Sequence, residues 1–293
     1  MEIEQLRYFL QVAESKSITR AAELLCVSQS ALSRSVQRLE ADFGVPLLVR
    51  KTRRVELSDA GVKLKSRIEQ ILAILDDTRA ELCDDGSSGR IRVGSIPTIA
   101  PYFLPAFLKR FSQSFPGALV EVYEETTKNL LHQCSQGEVD FAILALPIEN
   151  RHLETNALFD EELLLALPSD HPLAERKKVR LKEIEREPFV MLDEQHCLSD
   201  SILSFCSSRS FQPVSVGRTN QLSMVQELVS LSHGISLVPQ MAVDKDRAKT
   251  RIYRSIAGKT PKRTIGVVWD PYRFQSRLSK SFIDLLHQYC DNP

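Results

Sequence analysis

Two cysteines carry the most chemical information in this chain. Cys197 follows the polar run Asp193-Glu194-Gln195-His196, precedes Leu198-Ser199-Asp200, and lies nine positions before Cys206. A helix over 199–207 would separate the two roughly 13 Å along its axis, at about 1.5 Å of rise per residue. A disulfide needs α-carbons within about 7 Å of each other. The two thiols therefore meet only if that helix unwinds, and such a pair turns oxidation into a change of shape. A cysteine is more commonly a small buried hydrophobe, and that is the expectation for Cys26, Cys83, Cys134 and Cys290. Flanking His196 and a partner at Cys206 set Cys197 apart.

Composition bounds what such a switch can serve. At 293 residues, 43% hydrophobic and 26% charged, the chain has the make-up of a soluble protein of two or three domains. The formal net charge is zero, so any nucleic-acid surface must be local. Residues 1–66 hold 11 Lys and Arg against 8 Asp and Glu, and the basic cluster Arg50, Lys51, Arg53 and Arg54 stands out within them. No apolar run reaches the roughly 18 residues of a membrane span. Met1-Glu2-Ile3-Glu4-Gln5 does not start a secretory signal, so a cytoplasmic protein is expected. In a reducing compartment a disulfide is more often transient than structural. The six histidines and the remaining cysteines show no paired ligand spacing, so neither metal nor cofactor is expected.

The N-terminal elements give the switch something to control. Leu6, Phe9, Leu10 and Ala13 fall at helical spacing. Ser17 or Thr19 caps a second helix holding Ala21, Ala22, Leu24 and Leu25, and Cys26-Val27 makes a turn. Ser28 offers an N-cap to a third helix with Ala31, Leu32, Val36 and Leu39 inside. Its exposed face gathers Gln29, Ser30, Ser33 and Arg34, which suits a major groove. Gly44 ends this helix, and strands at Pro46–Arg50 and Val55–Leu57 flank the basic tip as a wing. From Ser58 a long helix with Val62, Leu64, Ile68, Ile71, Leu72 and Leu75 on one side runs to about Cys83. A stripe without a globular partner of its own predicts a homodimer through this helix. The run 84–89 reads as a linker.

Beyond Gly89 strands and helices alternate. Strands are expected at Ile91–Gly94, Leu119–Tyr123, Phe141–Leu146, Leu163–Leu167, Phe189–Leu192, Val214–Gly217, Ile235–Val238 and Thr264–Trp269. Helices fit at Tyr102–Ser112 and Lys128–Ser135. This predicts a parallel-rich α/β fold of two lobes, with crossovers near 161 and 267 and a cleft between them. The expected domains are a winged helix-turn-helix at 1–58, a linker or dimerisation helix and hinge at 59–89, and a bilobal regulatory domain at 90–293. Lobe I would hold 90–161 and 267–293, and lobe II 162–266.

The run from Ala21 through Ser33, then Leu39-Glu40 and Gly44-Val45-Pro46-Leu47-Leu48, resembles the LysR-type transcriptional regulators. That resemblance covers the whole chain and implies a regulatory domain like the periplasmic binding proteins. Ile96-Pro97-Thr98, Pro101-Tyr102, His196-Cys197-Leu198 with Cys206, and Lys262-Arg263-Thr264-Ile265-Gly266 resemble the OxyR-type peroxide sensors within the family. The resemblance implies that Cys197 attacks hydrogen peroxide and Cys206 resolves it, with Thr98, Thr127, His196 and Arg263 around the reacting sulfur. It implies double-stranded promoter DNA, hydrogen peroxide and RNA polymerase as partners, and a homotetramer built from dimers. Two residues depart from it: Gln195 stands where glycine is usual, and Ser199 where a basic residue is common.

Thiolate is the nucleophile, so Cys197 is expected to have a lowered pKa. A helix beginning at Ser199 or Asp200 and the Arg263 cation are the two sources. Closing a ring of about ten residues stabilises the disulfide form by roughly 2.5–3 kcal/mol. Unwinding two turns and repacking Leu198, Ile202, Leu203 and Phe205 costs a similar order, so the two states lie close. Arg50, Lys51, Arg53 and Arg54 are expected on phosphates, with Ser28, Gln29, Ser30, Ser33 and Arg34 near base edges. The alternative is a regulator whose cleft holds a small effector while the cysteines are structural. A thiol peroxidase is disfavoured by the helix-turn-helix, so no enzymatic turnover is expected.

Overall fold

Leu6, Phe9 and Val12 recur at helical spacing along α1 (Ile3–Ser15) and are buried together. In the computed structural model, residues 1–50, 55–82, 86, 88–207 and 213–291 are described, and they form two units, Met1–Cys83 and Asp84–Pro293. Lys51, Arg53, Arg54 and Cys83 lie outside the described residues. Ser17 caps α2 (Ile18–Leu24) by accepting from Arg20 N at 3.3 Å. Cys26 makes the turn with φ of +55°, left-handed for a residue with a side chain. Ser28 caps α3 (Gln29–Phe43), accepting from Ala31 N at 3.2 Å, and Gly44 ends it at φ +68°.

The wing strands β1 (Leu48–Arg50) and β2 (Val55–Leu57) pair antiparallel. Glu40 ties the wing to α3, since one carboxylate oxygen accepts from Leu47 N at 2.8 Å and Leu48 N at 3.0 Å. Ser58 accepts from Gly61 N at 3.0 Å where α4 (Asp59–Leu82) begins. A Cβ on Gly61 would sit 2.1 Å from the Leu47 carbonyl oxygen, so only glycine allows this approach. The expectation that α4 lacks a globular partner is corrected in part. Ile68 and Leu72 are buried with Leu32, Val36 and Leu39 in the winged-helix core, whereas Val62, Ile71, Ile74 and Leu82 remain exposed.

In the second unit β3 (Ser88–Ser95) runs parallel to β4 (Gly117–Glu124) and to β5 (Phe141–Leu146), with α5 (Ala100–Ser114) and α6 (Thr127–Gln136) as crossovers. Ser88 and Gly89 already pair with Gly117 and Ala118, so the linker is shorter than the sequence suggests. A 15-residue strand, β6 (Glu154–Pro168), then joins the two lobes. Next come β7 (Lys178–Val179), β8 (Pro188–Leu192), α7 (Cys197–Ser207), β9 (Val214–Thr219), α8 (Leu222–Ser230) and β10 (Ser236–Pro239). The chain finishes with α9 (Gln240–Lys245), β11 (Arg251–Ile256), β12 (Lys262–Trp269) and α10 (Arg277–Asp291).

The main sheet has the order β4-β3-β5-β12-β6-β11-β7, with β10 also on β6, while β8 and β9 form a separate parallel pair. Residues 154–162 of β6 pair with β12, and 163–168 pair with β10 and β11. One strand thereby passes from a first core around Phe103, Phe107, Phe141 and Phe282 to a second around Leu165, Phe189, Ile202 and Val225. The return crossover expected near 267 falls earlier, because β12 pairs with β6 from Lys262 and with β5 from Thr264. Strand β12 runs antiparallel to β5 and β6, and β10 and β11 run antiparallel to β6 while β11 is parallel to β7, so the sheet is more mixed than the alternation predicts. Among the described residues no helix is long and apolar enough to cross a membrane.

Candidate functional site

Helix α7 begins at Cys197 itself, two residues earlier than the sequence suggests. Ser199 is the reason: its hydroxyl is buried and donates to the Leu192 carbonyl at 2.7 Å, pinning the first turn to the end of β8. His196 precedes the helix, with its amide donating to Asp193 O at 3.0 Å. Across from it, Thr126 caps α6 and Thr127 is that helix's first residue. Thr98 lies in the turn after β3. Ile96, Pro97, Thr98, Thr126, Thr127, Gln195, His196 and Cys197 together line a narrow crevice.

Two polar groups give the crevice its character. The Thr127 hydroxyl is buried without a hydrogen bond of full geometry, although it lies near enough to the Cys197 sulfur to favour thiolate. Arg263, on β12, is buried and donates from Nη1 to Thr98 Oγ1 at 2.8 Å and from Nη2 to Thr98 O at 3.0 Å. The expected set of Thr98, Thr127, His196 and Arg263 is thus gathered around Cys197 or one bond removed from it.

Cys197 does not have the lowered pKa that the sequence reading requires. Burial pushes its thiol above the ordinary value, the Thr127 hydroxyl and the Arg263 cation pull it down, and Asp200 pushes it up again. The resting protein therefore holds this residue mainly as a thiol. Two open clefts also reach Cys197. One, of about 620 Å³, is lined by Lys128, His132, Asn150 and Asp200, and the other, of about 910 Å³, by Ser204, Lys259, Lys262 and Arg263.

Cys206 is fully buried in the second core, and neither it nor Cys197 is in a disulfide. Cys134, also buried, has its thiol pushed up to about 12 by burial, as an inert core residue should. Among the described residues no group of His, Cys, Asp or Glu could hold a metal ion. In the other unit Ser28, Gln29, Ser30 and Arg34 are exposed on one end of α3 and Ser33 is half-buried. Arg50 ends β1.

Sequence reasoning missed Glu161. Its side chain is buried on β6 directly opposite Arg263, with Oε2 accepting from Arg263 Nε at 2.7 Å. A carboxylate set before the apolar run 163–167 was the available signal, but its partner lies 102 residues away in sequence.

A family model for the bacterial regulatory helix-turn-helix proteins of the lysR family matches residues 3–62, and one for the LysR substrate binding domain matches residues 84–291. The chain belongs to the LysR family of DNA-binding transcription regulators, in its OxyR-type branch, and is not an enzyme. The DNA-binding transcriptional dual regulator OxyR of Escherichia coli is 34% identical over 274 residues, covering 92% of this chain and 90% of that protein. A full-length OxyR variant from Pseudomonas aeruginosa superimposes with a TM-score of 0.79 at 26% identity, covering 100% of this chain and 95% of that one. A hydrogen-peroxide-bound OxyR variant from Corynebacterium glutamicum does so at 0.67 and 30% identity, covering 98% and 92%.

Proposed function

We propose that this regulator senses hydrogen peroxide through Cys197 and Cys206. The carrying observation is one helix with a thiol at each end: Cys197 in a hydroxyl-lined crevice under the field of Arg263, and Cys206 sealed in a core. The Cys197 thiolate attacks one peroxide oxygen, an S–O bond forms, the O–O bond breaks, and the departing hydroxide takes a proton to leave as water. The Cys206 thiolate then attacks the Cys197 sulfur, the S–S bond forms, and the S–O bond breaks with loss of a second water. Thr98 and Thr127 hydroxyls orient the peroxide, Arg263 supports charge on the leaving oxygen, and His196 shapes the loop.

Residues 1–58 bind promoter DNA, 59–89 pair two subunits and form the hinge, and 90–293 carry the sensor, with lobe II starting at residue 162. Dimers pair into a homotetramer in the cytoplasm, and oxidation changes the spacing of half-sites presented to RNA polymerase. Footprints of reduced and oxidised protein on one promoter test this reading: a shifted footprint supports it, and identical footprints overturn it. The two open clefts beside Cys197 favour a second reading, in which a small effector binds there. Under that reading a Cys197→Ser variant keeps its inducer response, whereas peroxide sensing requires the response to vanish.

A further inference from the structure

Arg263 is a permanent cation sealed inside the protein, with 1% of its side chain exposed, and the side chain of Glu161 facing it is 3% exposed. A guanidinium only donates hydrogen bonds, so its orientation is set by where acceptors hold it. Glu161 Oε2 takes Nε–H at 2.7 Å, and Thr98 takes the other arms through Oγ1 and its carbonyl. Glu161 Oε1 accepts from Met241 N at 2.8 Å, near the start of α9. Both carboxylate oxygens are therefore engaged, one by Arg263 and one by the backbone of the second lobe. Because Thr98 Oγ1 accepts from Arg263, its own hydrogen is directed elsewhere, and Thr98 lines the crevice that holds Cys197.

We infer that Glu161 is a positioning residue for the thiol chemistry: it fixes Arg263 so that the Thr98 hydroxyl presents its hydrogen to the crevice, and it offsets the field of Arg263 at Cys197. This rests on the reading of Cys197 as the peroxide-reactive thiol. The two roles predict effects of opposite sign. In a Glu161→Gln variant one amide oxygen replaces two carboxylate oxygens, so either Met241 N–H or Arg263 Nε–H loses its acceptor. Reaction with peroxide then slows because the donor geometry loosens. Alkylation of Cys197 speeds up or holds steady, because Arg263 is no longer neutralised and favours thiolate.

The experiment uses the full chain with Cys206→Ser, so that oxidation stops at the sulfenic acid. Rate constants for Cys197 with hydrogen peroxide and with iodoacetamide are measured across pH, with folding checked by circular dichroism. In Glu161→Gln the peroxide-to-alkylation ratio should fall by about tenfold or more. In Glu161→Asp, which keeps the charge and retracts the carboxylate, the ratio should fall while the alkylation pH profile stays put. The Asp variant alone decides the matter if the Gln variant does not fold. A ratio within about twofold of the parent, or equal slowing with both reagents, overturns the inference. A parent whose Cys197 shows no preference for peroxide over that of free cysteine overturns the underlying reading instead.

Discussion

Cys197 and Cys206 share one helix and belong to two different hydrophobic cores. Cys197 packs against the first core and lines the crevice, while Cys206 is completely buried in the second. Nine residues of α-helix set them about 13 Å apart along the axis and half a turn apart around it. No side-chain rotation brings two such sulfurs to bonding distance. Joining them means dissolving α7 and withdrawing Cys206 from its core.

The first consequence is a measurable loss of helix. After one equivalent of peroxide, peptide mapping should find a Cys197–Cys206 crosslink that reductant removes. Amides of 198–206 should then exchange with solvent far faster than in the reduced protein. Unchanged exchange across α7 in the crosslinked protein would show that the switch lies elsewhere. In Cys206→Ser the same peptides should carry a sulfenic acid and keep their protection.

The acidity of Cys197 gives a second expectation, with its sign fixed by burial. Since burial raises the thiol's pKa, thiolate is scarce at neutral pH, and iodoacetamide should modify Cys197 slowly there. The rate should climb about tenfold per pH unit until the folded-state pKa is passed. Asp200 is one of the groups pushing that pKa up, so Asp200→Asn should move the profile to lower pH. Arg263→Met removes a group pulling it down and should move the profile to higher pH.

How much of this was legible in the sequence depends on the range of the interactions. Ser17, Ser28 and Gly44 act on neighbours three residues away or fewer, so the ends of α2 and α3 could be read directly. The strand Phe141–Leu146 was legible because a strand buried on both faces is an unbroken apolar run. The first half of β6 was not. Its stretch 154–162 is polar, because it is mostly solvent-facing and places Asp160 against Thr264 and Glu161 against Arg263. Strand β11 was hidden for a related reason: Arg251 reads as a surface residue, yet it is buried by Asp246, Glu227 and Tyr253. In the candidate site, local spacing exposed Cys197 and Cys206, whereas the balance of burial against Arg263 exists only once distant strands meet.

The Arg251 cluster yields a stability prediction remote from the thiols. Asp246 would be pushed up by burial, but hydrogen bonds from Arg251 and Tyr253 hold it down to about 2. Its folded-state pKa is depressed, so its contribution is present above the unfolded value of about 4 and fades as pH falls toward 2. Asp246→Asn leaves Arg251, whose side chain is 7% exposed, facing Glu227 alone among carboxylates. The expected loss is about 3 kcal/mol at pH 7, read from urea unfolding, and the difference from the parent should shrink in acid.

Ser199 bears on the switch itself. Its hydrogen bond to Leu192 O exists only while the first turn of α7 is wound, so it opposes unwinding and not the disulfide product. In Ser199→Ala the Leu192 carbonyl loses that partner, at a cost to the wound state of about 1–3 kcal/mol. The reduced protein should therefore melt earlier, and the disulfide should become at least about fivefold harder to reduce at equilibrium, since 1 kcal/mol is a factor of about five. Titration against a glutathione redox buffer measures this, and an unchanged midpoint would mean that Ser199 does not restrain the transition.

At the DNA end the two groups of residues should separate by salt dependence. Arg34 is exposed on α3 near the cap residue Ser28, where the first turns of a recognition helix approach base edges. Arg34→Ala should weaken binding to a cognate promoter by about 1–3 kcal/mol and leave binding to unrelated DNA nearly unchanged. Lys51→Ala, at the position following Arg50 in sequence, should weaken both alike, and should reduce the slope of log affinity against log salt by about 1. Titrations of both variants on matched cognate and scrambled duplexes, at several salt concentrations, decide the assignment. If Arg34→Ala loses affinity equally on both duplexes, α3 holds the backbone and sequence is read by another element.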